Sequence, residues 1–145
     1  MIIIGDGPER IRLKKLAEKI YPSTIFPGAL FNSDLDSYYT EADLFVLPGT
    51  GGLAIQQAMR FGLPIIVSEG DGTQYDLVRD GNGWHFETGD VDALSKIINQ
   101  ALSSPSQLRR MGEESYRIVD EEINIDAMVR TFMQALSLTK SRENL

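Results

Sequence analysis

The chain has 145 residues, 42% hydrophobic and 24% charged, and its 14 Lys and Arg against 21 Asp and Glu leave a formal net charge of −7. A chain of this length buries roughly two-thirds of the surface its unfolded state exposes, so a core forms without a metal or disulfide staple, and with no Cys a disulfide is excluded. The acidic balance repels phosphate backbones and anionic membranes at long range, which argues against nonspecific nucleic-acid binding and leaves any phosphate to be held locally by backbone N–H groups.

Met1 leads straight into Ile2, Ile3, Ile4 and Gly5 without the basic start of a signal peptide, and no apolar run approaches the roughly 20 residues of a membrane span. The chain therefore reads as cytoplasmic. Short β-branched and apolar runs at residues 2–4, 24–26, 44–47, 64–67 and, more weakly, 84–86 are bounded by Gly or Pro and predict strands. Their spacing, about twenty residues, leaves room for one helix and two loops between strands, which predicts βαβ units and a parallel sheet. The expected fold class is α/β, Rossmann-like, with helices flanking the sheet.

The helices follow from periodicity and punctuation. Pro8 suits a first helical position, and Leu13, Leu16, Ala17 and Ile20 line one face before Pro22 stops the helix. From Gly52 to Phe61, Ile55, Ala58 and Met59 form a stripe, with Gly62 as the C′ residue and Pro64 beyond. An Asp90 cap opens a third helix through Val91, Leu94, Ile97, Ile98 and Ala101, which breaks at Ser103, Ser104 and Pro105. Two further helices carry Leu108, Met111, Tyr116 and Val119, then Ile125, Met128, Val129, Phe132 and Leu136. One domain over residues 1–139 is expected, with residues 140–145 as a frayed tail.

Parallel sheets bind ligands outside the carboxyl ends of their strands, and here those ends hold Gly5, Gly7, Gly28, Gly49, Gly51, Gly52, Gly70, Gly72 and Gly89, 9 of the chain's 13 glycines. Any one of them suits a tight turn. The set points to backbone approaching a ligand. Pro48, Gly49, Thr50, Gly51 and Gly52 open the best-punctuated helix, whose first-turn N–H groups and dipole suit a phosphate or diphosphate. The spacing and Lys of a P-loop are absent, and Arg10 occupies the third glycine position of a dinucleotide fingerprint, which argues against hydride transfer.

The series IIIGDGPE, FPGAL, YYTEADLFVLPGTGGLAIQQAMRFGLPIIVSEGDG, LVRDGNGWHFETGDVDAL and LRRMGEES resembles, in order and over almost the whole chain, the C-terminal donor-binding domain of family 4 retaining glycosyltransferases of GT-B architecture. The resemblance implies a nucleotide-sugar substrate, UDP-, GDP- or ADP-linked, and no cofactor. Gly28, Ala29 and Leu30 match the loop that touches the base; Thr50, Gly51, Gly52 and Leu53 match the diphosphate-binding loop and helix start. Two family glutamates, for the donor sugar and the ribose, are replaced by Gly49 and Gln57, so a ribose hydroxyl meets an amide without charge assistance. Glu69 or Asp71 in the next loop is the expected substitute carboxylate.

The family's N-terminal acceptor domain, and the first strand and helix of its donor domain with their diphosphate-binding Arg and Lys, have no match here. The expectation is a truncated domain or split half, inactive in sugar transfer by itself and partnered by an acceptor domain or companion chain, with membrane association only through such a longer enzyme. No residue reads as a general base.

The remaining motifs take simpler roles. Asp34 in Asp34-Leu35-Asp36 is read as an N-cap before a metal ligand. His85 and Trp84 are read as structural, Asp43 and Asp76 as capping residues, with Asp76 matching a commonly acidic family position, and Arg109 and Arg110 as a solvated face. The stripe of the last helix covers the domain's own core, or forms a surface for the acceptor domain or for self-association. A noncatalytic nucleotide- or partner-binding module is the alternative function. A flavodoxin-like signalling domain ranks third, having only Asp6 near its first strand.

Overall fold

The computed structural model describes residues 1–70 and 72–142, with side chains described through residue 137. It divides into two compact units, Met1–Glu41 and Ala42–Leu145. The first contains β1 (Ile2–Ile4), α1 (Arg10–Ile20), β2 (Ile25–Gly28), a 3₁₀ turn (Asn32–Leu35) and α2 (Asp36–Glu41). β1 and β2 run parallel, with Ile2 opposite Ile25 and Ile4 opposite Gly28. The Gly5 N–H extends the pairing by donating to the Gly28 carbonyl at 2.8 Å.

Two local expectations change here. α1 starts at Arg10 rather than Pro8, because the Asp6 carboxylate accepts from the Gly7 N–H at 2.8 Å and Arg10 N–H closes a turn onto the Gly7 carbonyl at 3.1 Å. Pro8 therefore sits in a turn. Asp34 is no N-cap: Phe31 holds that position, in extended backbone, and Asp34 lies inside the 3₁₀ turn.

The second unit contains β3 (Phe45–Leu47), α3 (Gly52–Arg60), β4 (Ile65–Ser68), α4 (Thr73–Leu77), β5 (Gly83–Phe86), α5 (Val91–Leu102), α6 (Pro105–Arg117), a turn of π geometry (Ile118–Glu122) and α7 (Ile125–Arg142). Its sheet has the order β3-β4-β5, all parallel, with Phe45 opposite Ile65 and Ile65 opposite Gly83. β4 is central, and its Ile65, Ile66 and Val67 are fully buried, as a strand covered on both faces requires. α3 buries Ile55, Ala58 and Met59, the three positions its periodicity marks. Gly62 ends it with φ +70°, a left-handed C′ conformation that costs glycine little. Asp90 caps α5 by accepting from the Ala93 N–H at 2.8 Å.

Asn82 fastens the α4–β5 connection from inside. Fully buried, it accepts from Arg79 N–H at 2.6 Å and donates to the Leu77 carbonyl at 3.1 Å and the Ser115 hydroxyl at 3.4 Å. Asp76 does not cap α4; it lies in the first turn, behind a Gly72 cap in left-handed backbone. Trp84 is half-buried in β5, and Arg109 and Arg110 are exposed on α6 as expected. α7 continues through Arg142, over part of the expected tail; residues 143–145 lie outside the described residues. Its Ile125, Met128, Val129, Phe132 and Leu136 are 44–65% exposed, so this stripe is not core within the chain.

Candidate functional site

The glycine-rich connection from β3 reaches α3 through Gly51, at φ +152°, and no side chain caps the helix. The N–H groups of a first helical turn lack intrahelical partners, and the helix dipole adds positive potential there. Leu53 in that turn is 79% exposed, so the start of α3 is an open surface. A Cβ on Gly52 would stand 3.0 Å from Thr73 Cγ2 and 3.8 Å from Leu77 Cδ1. Glycine at 52 thus lets α4 close in and brings the connections after β3 and β4 together. An anion bound at this start would lie among backbone donors rather than side-chain cations.

The anticipated residues fall into two groups. Gly49, Thr50, Gly51, Gly52 and Leu53 lie at this helix start, and Gln57 is exposed on α3, one turn beyond Leu53. Around Gly49 a Cβ would meet nothing within 4 Å, so the missing family carboxylate is not forced out by packing. Gly28, Ala29 and Leu30 belong to the first unit. There Gly28, at φ +98°, leaves room for the Arg10 guanidinium, whose Nη2 would be 3.5 Å from a Cβ and lies 3.4 Å from the Phe26 carbonyl oxygen.

Glu69 stands at the carboxyl end of β4. Its N–H donates to the Phe86 carbonyl at 2.8 Å, and its own carbonyl accepts from the Thr88 hydroxyl at 2.6 Å. Desolvation first, and then the neighbouring Glu69 carboxylate, raise the Tyr75 pKa. Asp71 lies outside the described residues. His85 is positioned structurally, with Nε2 2.8 Å from the Val78 carbonyl oxygen. No group of three potential metal ligands occurs among the described residues.

Two features escaped sequence reasoning. Arg10 looked only like an interruption of a glycine fingerprint, whereas it lies against the Gly28 backbone. Tyr75 stacks on the His85 ring, centroids 4.6 Å apart and planes 10° from parallel. No sequence period announces a contact between α4 and β5.

Comparison with known proteins places this geometry in a family. Residues 1–118 match the family described as glycosyl transferases group 1. Lipopolysaccharide core biosynthesis glycosyltransferase LpsE of Rhizobium meliloti is 26% identical over 139 residues, 93% of this chain and 41% of that protein. A GDP-mannose-dependent alpha-mannosyltransferase of Mycolicibacterium smegmatis is 35% identical over 126 residues, 82% of this chain and 31% of its own length. Among solved structures, Anabaena HepE in complex with UDP superposes with a TM-score of 0.73 at 23% identity, over 94% of this chain and 40% of that one. The chain spans well under half of each of these relatives. No described helix is long and apolar enough to cross a membrane. By its matched sequence the chain belongs to the group 1 glycosyltransferases, and its parallel sheets flanked by helices match part of their GT-B structural neighbours.

Proposed function

We propose that the chain binds the nucleoside-diphosphate sugar used as donor in a retaining glycosyl transfer. The observation that carries this reading is the start of α3, an uncapped helix N-terminus approached through Gly51 and open at Leu53. The diphosphate accepts hydrogen bonds from first-turn N–H groups around residues 50–53. Gln57, on the same helix, serves a ribose hydroxyl, and Glu69 is the carboxylate that faces the sugar in place of the absent one at Gly49. Base recognition falls to Gly28, Ala29 and Leu30 on the strength of the family resemblance. UDP in the HepE complex and GDP-mannose in the M. smegmatis relative's name support a nucleotide-sugar donor.

In such a transfer the acceptor hydroxyl attacks the anomeric carbon on the face from which the nucleoside diphosphate departs. The chain's contribution is to position the donor and stabilise the charge gathering on the leaving diphosphate. Among the described residues none is placed as a general base, consistent with the acceptor proton passing to a departing phosphate oxygen. The acceptor site belongs to a further domain or companion chain. Turnover assays of the purified chain with nucleotide sugars test this division: binding without transfer is expected, and transfer by the chain alone would contradict it.

A further inference from the structure

We infer that Tyr75, with Glu69, is a platform for a pyranose ring, a reading that rests on the nucleotide-sugar assignment and extends it to residues outside the helix start. The ring of Tyr75 is held on one face and has a carboxylate near its hydroxyl end. One face stacks on His85 at 4.6 Å, and His85 is itself tied to the Val78 carbonyl at 2.8 Å. Desolvation and then the nearby Glu69 carboxylate raise the pKa of the Tyr75 hydroxyl, and the Glu69 backbone is fixed to Phe86 and Thr88. Yet Tyr75 remains 52% exposed. An aromatic ring anchored this firmly and left open loses little rotamer freedom when a ligand covers it.

The chemistry of the pair selects the ligand. The π-face is electron-rich and attracts the polarised C–H groups of a sugar's apolar face, while a carboxylate beside it accepts charge-assisted hydrogen bonds from hydroxyls. The Gln74 carboxamide is fully buried with neither its oxygen nor its nitrogen hydrogen-bonded, and the buried Ser68 hydroxyl likewise has no partner. Gln74 packs against Gly70, where a Cβ would stand 2.6 Å from its Nε2. Thr73, two residues before Tyr75, touches the start of α3, so sugar and diphosphate fall on adjoining surfaces of one unit.

The ring could arrive on the donor or as part of an acceptor, and one titration separates the two. Ring signals of Tyr75, assigned through Tyr75→Phe, and amide signals of residues 51–54 are followed by NMR during addition of UDP, GDP, UDP-glucose, GDP-mannose and methyl mannoside. The expected result is that diphosphates move the amides alone and a nucleotide sugar moves both sets. Tyr75→Ala should then cut the ratio of nucleotide-sugar to diphosphate affinity about threefold to tenfold. Movement of Tyr75 by methyl mannoside, with the amides silent to every diphosphate and nucleotide sugar, would retain the platform as an acceptor site and overturn the nucleotide reading. Tyr75 signals that stay still while nucleotide sugars move the amides, or that respond equally to bare diphosphates, would overturn the platform.

Discussion

Gly112 in α6 lies directly against Gly62: a Cβ at 112 would stand 2.0 Å from the Gly62 carbonyl oxygen. Only two glycines allow α6 to approach the end of α3 this closely. Gly112→Ala must push the helix away from a core that includes Met59, Leu108 and Met111. We expect a loss of about 3 kcal/mol, as for overpacking of a tight interior. Urea unfolding followed by circular dichroism measures it; an unchanged midpoint would contradict the close packing.

Asn82 joins the Arg79 N–H, the Leu77 carbonyl and the Ser115 hydroxyl. Asn82→Ala leaves these partners unsatisfied in the interior. The expected cost is about 2–3 kcal/mol, read from the urea midpoint at unchanged m-value.

Arg117 anchors an acidic cluster at the end of α6. It bonds Glu114 at 2.7 Å, Glu121 at 2.8 Å and Glu122 at 2.9 Å, and Arg79 holds Glu122 at 2.8 Å. The hydrogen bond from Arg117 lowers the Glu114 pKa, and those from Arg79 and then Arg117 lower that of Glu122. A carboxylate whose folded pKa is depressed contributes stability above its unfolded pKa, about 4.3 for Glu, and loses it as pH falls through the folded value. Stability measured by urea between pH 7 and pH 3 should therefore drop on acidification, and Arg117→Met should flatten that slope. Equal slopes for the two proteins would show the cluster to be energetically silent.

The open space around Gly49 makes a direct test of the replaced carboxylates. Gly49→Glu places a side chain where a Cβ meets nothing within 4 Å, so the fold should tolerate it within about 0.5 kcal/mol. Combined with Gln57→Glu, which restores charge-assisted bonding to a ribose hydroxyl, it should tighten nucleotide-sugar binding relative to the parent chain. Weaker binding by a stably folded double variant would mean that these positions do not face the donor.

Local order was legible where it is written locally. The strands at Ile2, Phe45 and Ile65, the α3 stripe of Ile55, Ala58 and Met59, its Gly62 stop and the Asp90 cap all follow from short-range periods and caps. Pro8 and Asp34 misled because Asp6 and Phe31 offer competing backbone arrangements. The Asn82 network, the Gly62–Gly112 approach and the Tyr75–His85 stack join residues distant in sequence, and no period encodes them. At the site, the helix start could be anticipated from glycines alone. The anchoring of Glu69 by Phe86 and Thr88 could not, since it depends on the register of β4 against β5.

Calorimetric titration of the folded chain with UDP, GDP and ADP, and with their sugar conjugates, tests the central assignment most directly. One diphosphate should bind saturably, and Gly51→Ala, which strains a backbone held at φ +152°, should weaken that binding. A chain shown by circular dichroism to be folded, yet giving no heat with any of these nucleotides, would contradict a diphosphate site at the start of α3.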